Sequence, residues 1–384
     1  MTRAARLLAF TWLLLLAGPT LLAALLLAVA ATWRGQIFAL TALCFVAVPI
    51  LGLRRLAVRT RARLAQLAVT SAAGALGLVT LVLATPRPRH GLEEGAWAVS
   101  PQAPGRFALT TLLPEVDQLV LGSHLIAAVD PYITLESSRR IRRLFLSVYQ
   151  PMLEDPRFAA LPTQMGEAWA DEATGQRFVY VPPHAPGEQL PCVVFLHGSG
   201  GNFQGYLWVW KSLADAGRFV VVAPGFGFGN WHRAGGVEAI EAARRFAIGS
   251  LPVDPQRLVL AGLSNGGRGV MRAIEADQAR AWSAVVLISA VVDVDPTPEA
   301  WRGRPVLLVH GLKDDRIAAK WFSLATDALR GAGASVTPCF DAEEDHFLFF
   351  SRPDQVQSWV LGFLHSEVGL APPAPDQVVS PEVR

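Results

Sequence analysis

Between Arg177 and Phe340, seven short β-rich runs alternate with stretches long enough to form helices. The runs are Phe178–Val181, Cys192–Leu196, Phe219–Ala223, Leu258–Ala261, Val285–Ser289, Val306–Val309 and Ser335–Phe340. Segments such as Val237–Ile248 and Arg268–Ala276 lie between them. Strands separated by helices imply a parallel sheet with crossover helices. Continuous apolar runs such as Val193-Val-Phe-Leu196 suit strands covered on both faces. The expected class is α/β, with a doubly wound, mainly parallel sheet.

Three strand ends carry reactive groups. Leu258-Val-Leu-Ala-Gly-Leu-Ser-Asn-Gly-Gly267 runs a strand into Gly-x-Ser-x-Gly and then into a helix. That context gives the motif its meaning, because it places Ser264 on a sharp turn. Gly262, Gly266 and Gly267 let strand and helix approach closely. Val306-Leu-Leu-Val-His-Gly-Leu-Lys-Asp-Asp315 and Glu343-Glu-Asp-His-Phe347 follow later strands. Together they provide the chain order Ser, Asp, His. A serine hydroxyl is a weak nucleophile and needs an adjacent base. His346 is the candidate base, and Asp314 the candidate carboxylate orienting it. Asp315 competes with Asp314, although its carboxylate also suits a cap on a helix starting near Ile317. Asp293 is a more distant rival. His197 and His310 precede glycines at strand ends and suit packing or hydrogen-bonding roles.

From about Arg177 to His365 the chain resembles the α/β-hydrolase superfamily. It is similar to the esterase branch with dienelactone hydrolases, polyhydroxyalkanoate depolymerases and phospholipase/carboxylesterases. The residues carrying the resemblance are His197-Gly-Ser-Gly-Gly201, the elbow around Ser264, His310-Gly-x-x-Asp314 and Asp345-His346. Dienelactone hydrolases usually have Cys as nucleophile, where this chain has Ser264. The resemblance implies a catalytic acid at Asp314 and cleavage of a carboxylic ester through an acyl-enzyme. Peptidase, thioesterase and acyltransferase activities share the same triad. A receptor or interaction protein on a retired hydrolase fold is the non-catalytic alternative. An oxyanion hole needs two backbone N–H donors. Asn265 would supply one, and Ser199 or, as second choice, Gly200 the other. Phe226, Phe228 and Trp231 either line an acyl or alcohol pocket or cover the core.

The first 84 residues have a different composition. Hydrophobic residues make up 52% of the chain and charged residues 17%, against about 25% charged in soluble domains. The deficit lies in three apolar runs, Leu7 to Ala31, Ile37 to Leu53 and Leu64 to Ala84. About 17–25 residues span a bilayer, so three transmembrane helices are expected before the sheet. A signal peptide is the competing reading of the first run, with Arg3 and Arg6 ahead of it and Ala28-Val29-Ala30 resembling a cleavage site. The run is too long for that. The runs contain no Asp, Glu, Lys or His, so anchoring fits better than transport. Arg54, Arg55, Arg59, Arg61 and Arg63 mark the cytoplasmic loop, against Arg34 alone in the preceding one. Three crossings then place the remainder on the extracytoplasmic side of a plasma or inner membrane.

The expected organisation is an anchor over 1–84, a linker and juxtamembrane helical segment over 85–172, a catalytic domain over 173–369 and a disordered tail over 370–384. Pro86, Pro88, Pro101, Pro104 and Gly105 break up the linker. Arg139, Arg140, Arg142 and Arg143 flank Ile141, Leu144 and Phe145. That basic amphipathic segment suits a solvated helix face packed on the catalytic domain, or contact with lipid headgroups. A net charge of +2 argues against a nucleic-acid partner. Cys44, Cys192 and Cys339 form no disulfide framework. No zinc-type His-x-x-x-His spacing is present, and the expected triad needs neither metal nor cofactor. The expected partners are an acyl ester and the membrane.

Overall fold

The computed structural model describes residues 3–57, 60–85, 94–99, 112–131, 133–158, 161–163 and 176–370. Of the tail expected to be disordered, 370–384, only Leu370 is among these residues, and it is buried; the rest lies outside them, as do the linker prolines between 86 and 104. The chain divides into two compact units. The first comprises Met1–Arg87 and Phe107–Leu146; the second comprises Pro88–Arg106 and Ser147–Arg384.

The first unit begins with helices α1 (Arg3–Val29), α2 (Trp33–Ala57) and α3 (Arg61–Ala84). Two stretches are long and apolar enough to cross a membrane, Trp33–Gly52 and Arg61–Ala84. Of α1, the described side chains Leu15–Val29 form a shorter apolar stretch. Among the described residues, two candidate spans therefore stand where three were expected. Two more helices follow, α4 (Glu115–Val129) and α5 (Leu135–Glu154), whose last residues belong to the second unit. Asp117, at the start of α4, is buried and accepts from the N–H groups of Ala31 (2.7 Å) and Thr32 (3.1 Å) and from the Thr32 hydroxyl (2.5 Å). These bonds hold the turn between α1 and α2, and the cap of α2 itself is Thr32, whose hydroxyl accepts from the Gly35 N–H (3.1 Å). Gly35 leaves the room, since a Cβ there would lie 2.5 Å from the Asp117 carboxyl carbon.

The second unit holds an eight-stranded mixed sheet. Its strands are β1 (Gly95–Val99), β2 (Arg177–Val181), β3 (Leu190–Leu196), β4 (Val220–Pro224), β5 (Val253–Leu263), β6 (Ala284–Ile288), β7 (Pro305–Gly311) and β8 (Ser335–Asp341). They lie in the order β1-β2-β4-β3-β5-β6-β7-β8. The strands β4, β3, β5, β6, β7 and β8 pair in parallel; β2 is antiparallel to both neighbours. All seven expected runs are strands. The eighth, β1, comes from the stretch read as irregular linker, and its Trp97 is buried edge-on against Phe246.

The helices of this unit are α6 (Gln204–Gly217), α7 (Gly236–Ser250), α8 (Gly266–Ala276), α9 (Pro298–Trp301), α10 (Ala319–Gly331), α11 (Leu348–Ser351) and α12 (Pro353–Val368). Strands β3, β4 and β6, and β5 from Leu258 on, are buried, as their unbroken apolar runs require. Cys192 and Cys339 lie on different strands, β3 and β8, and all three cysteines are free. Ligands of open α/β sheets sit outside the carboxyl ends of the strands, where β5, β7 and β8 deliver the three candidate groups.

Candidate active site

Ser264 sits between the end of β5 and the start of α8, in the middle of the sheet. Its φ is 52°, in the left-handed region. A non-glycine residue there is strained and must be held by its surroundings. Its N–H donates to the Ile288 carbonyl (3.1 Å), and its carbonyl accepts from Gly267 (3.0 Å) and Val291 (2.9 Å). A Cβ on Gly266 would lie 2.2 Å from the Leu196 carbonyl oxygen, and one on Gly262 2.7 Å from a Val270 methyl. The elbow glycines are thus required by the packing of α8 onto β3 and β5.

His346 follows β8 on a loop tied to the loop after β7. The Leu312 N–H donates to the Asp341 carbonyl and the Lys313 N–H to the Glu344 carbonyl, both at 2.8 Å. Gly311 permits this approach, since a Cβ there would lie 2.4 Å from the Glu344 carbonyl oxygen. Ser351 and Arg352 donate to the Glu344 carboxylate from the other side of the loop.

These ties bring Ser264, His346 and Asp314 into one hydrogen-bonded chain. His346 Nε2 lies 3.0 Å from Ser264 Oγ, and Nδ1 lies 2.7 Å from Asp314 Oδ2. A carboxylate only accepts, so Nδ1 carries the hydrogen and Nε2 is left to accept from the hydroxyl. The other Asp314 oxygen accepts from the N–H groups of Arg316 and Ile317, each at 2.8 Å. Burial would raise the pKa of Asp314. The hydrogen bond and charge of His346, the Ile317 N–H and His310 outweigh it and hold the carboxyl below its ordinary value. Asp315 and Asp293 are exposed. The helix expected near Ile317 starts at Ala319 with no side-chain cap, so Asp315 has no capping role, and the N–H groups of Arg316 and Ile317 ahead of it bond Asp314.

The loop 197–201 passes beside the nucleophile; a Cβ on Gly198 would lie 3.0 Å from Ser264 Cβ. Its anchor is His197, which is fully buried. His197 Nδ1 donates to the Gly198 carbonyl (2.8 Å), Nε2 accepts the Phe226 N–H (3.1 Å), and its own carbonyl accepts from Trp231 Nε1 (2.9 Å). Burial pushes the His197 pKa down to about 4, against a smaller opposing effect of the Gly198 carbonyl. The Gly200 N–H is spent on the Phe228 carbonyl (3.2 Å), which favours Ser199 over Gly200 as the loop's donor. Asn265 Nδ2 donates to Ser199 Oγ at 2.6 Å, so the two expected donor residues are linked by their side chains.

Phe226 and Trp231 do not line a pocket. Both are fully buried and stacked at 5.4 Å. They cover the core and brace the loop through His197, and of the three aromatics only Phe228 is partly exposed. The bracing role of segment 225–232 was not read from the sequence. Its signal is the glycine spacing: a Cβ on Gly229 would lie 2.5 Å from the Gly198 carbonyl oxygen. His310 is a packing residue, hydrogen-bonded to the Ile317 carbonyl (2.8 Å) and stacked on Phe322. Among the described residues, no three His, Cys, Asp or Glu side chains are grouped to hold a metal ion.

The strand order, the antiparallel β2 and the strained elbow after β5 decide the architecture. The fold is that of the α/β-hydrolases. No family model and no curated protein matches the sequence. Solved structures similar to the chain include a thermostable esterase, at 21% identity over 49% of this chain and 58% of that one, with a TM-score of 0.41. An esterase of Pyrobaculum calidifontis aligns at 19% identity over 50% and 80%, with a TM-score of 0.43. An esterase of the Planctomycetes species Thermogutta terrifontis aligns at 18% over 52% and 91%, with a TM-score of 0.44. The chain spans little more than half of the first of these. Likeness at this level concerns the fold alone, and the chemistry has to be read from the site's own geometry.

Proposed function

We propose that the chain is a membrane-anchored serine hydrolase that cleaves a carboxylic ester through an acyl-enzyme. The observation carrying this reading is the hydrogen-bonded chain from Ser264 through His346 to Asp314. Both contacts lie within the range of a nucleophile and its oriented base. Ser264 Oγ attacks the ester carbonyl carbon as His346 Nε2 takes the hydroxyl proton. The carbonyl oxygen becomes an oxyanion facing the N–H groups of Asn265 and Ser199, at the N-terminus of α8. Collapse breaks the bond to the alcohol oxygen, which leaves with the proton from His346. Water then attacks the acyl-enzyme by the same route, regenerating Ser264. Asp314 holds the imidazole in the required tautomer and stabilises its charged form.

A fluorophosphonate probe tests the assignment, since it labels an activated serine covalently. Labelling is expected in the wild-type chain and lost in Ser264→Ala; labelling that survives the substitution sinks the reading. The anchor is supported by the two apolar helices, Trp33–Gly52 and Arg61–Ala84. With the first apolar run as a third crossing, the arginine distribution puts the catalytic unit outside the cytoplasm.

A further inference from the structure

Helix α4 and the part of α5 up to Leu146 form a hairpin within the first unit, with the buried Ser138 hydroxyl donating to the buried Ser123 carbonyl. The hairpin is fastened to the apolar helices, because Asp117 of α4 caps the turn between α1 and α2. After Asp117, the rest of α4 carries no acidic or basic residue apart from His124. It exposes Gly122, Leu125, Ala128 and Val129, one side of the helix. Leu125 is 38% exposed, Val129 79%, and Leu135, at the start of α5, 69%. Arg139 and Arg143 follow Leu135 at intervals of four and are also exposed, so the three share a face of α5. Ser138 and Ile141, off that face, are buried. Between Leu135 and Leu146 there are four arginines and one acid, Glu136.

An exposed apolar stripe adjoining arginines is the pattern of a helix lying in a membrane interface. Leu76, Val79 and Leu83 of α3, a candidate span of the same unit, are also exposed. We propose that the α4–α5 hairpin lies in the headgroup layer of the bilayer that holds α2 and α3. Leu125, Val129 and Leu135 dip among the acyl chains, and Arg139 and Arg143 contact the phosphates of anionic lipids. The inference rests on the reading that α2 and α3 cross a membrane.

The full chain, reconstituted in phosphatidylcholine–phosphatidylglycerol vesicles, tests it. An environment-sensitive fluorophore is attached through Val129→Cys, and in a second sample through Val79→Cys on α3. Cys44→Ser and Cys339→Ser remove the accessible native thiols, while the fully buried Cys192 stays. A spin label on the lipid chains is expected to quench most of the fluorescence at both positions, with aqueous iodide quenching neither. Lipid quenching at 79 with only iodide quenching at 129 overturns the inference and leaves the spans standing. Lipid quenching at neither position overturns both. Arg139→Glu with Arg143→Glu, or omission of phosphatidylglycerol, is expected to cut lipid quenching at 129 severalfold; no change in either case overturns the phosphate contact.

Discussion

The Asp314 carboxylate accepts three hydrogen bonds, two from the backbone ahead of α10 and one from His346. Its side chain is inaccessible to solvent, so nothing else can replace those bonds. In Asp314→Asn the amide can turn a donor toward Nδ1 and favour the wrong imidazole tautomer. A fall in kcat of about 10⁴-fold is expected, with KM little changed, in steady-state hydrolysis of a short-chain ester. His197 sets a different pH response. Its pKa lies near 6.5 in the unfolded chain and about 4 in the fold, so falling pH protonates the unfolded chain first. Its contribution is fully present above about pH 6.5 and is lost as pH falls toward about 4. The thermal midpoint of the wild type should decline across that window, and His197→Gln should remove part of the decline. At this scale the sequence was informative wherever neighbours in the chain do the work. Ser264 is legible because the glycines that shape its turn lie within three residues of it. Phe226 and Trp231 were ambiguous because only the packing of β3, β4 and α8 decides whether an aromatic faces core or solvent.

The loops after β7 and β8 act as one element. Gly311 lets them meet, and the bonds from Leu312 and Lys313 hold them. Gly311→Ala should push the His346 loop outward. A displacement of about 1 Å at a catalytic group costs about 10²-fold in rate, so kcat is expected to fall to that extent. Covalent labelling should slow in parallel, while far-ultraviolet circular dichroism stays near wild type; unchanged kcat would show that the loop tie is dispensable. Nothing within the His310-Gly311 dipeptide reveals this, because the clashing atom belongs to Glu344, 33 residues away. Strand β1 escaped sequence reading for a related reason. Five residues, Gly95–Val99, set among prolines lack the length to show a period, and their pairing partner in β2 is about 80 residues on.

For the whole molecule, the arginine loop between α2 and α3 makes a topological prediction. A reporter active only outside the cytoplasm, fused after Arg384, should be active, and a cytoplasm-only reporter silent; the reverse would reject the orientation. By itself the sequence determined the parallel α/β class, the elbow serine, the chain order of the three candidate groups and the apolar character of the N-terminal helices. These depend on local periodicity, local turns and composition, all carried by contiguous residues. Tertiary structure alone decided that β1 joins the sheet, that Asp314 rather than Asp315 meets His346, that segment 225–232 braces the loop beside Ser264, and that Asp117 holds the turn between α1 and α2. Each joins groups distant in sequence or selects between adjacent ones. Such outcomes follow from which backbone atoms the packing of strands and helices brings within hydrogen-bond reach, and no short window of sequence contains both partners.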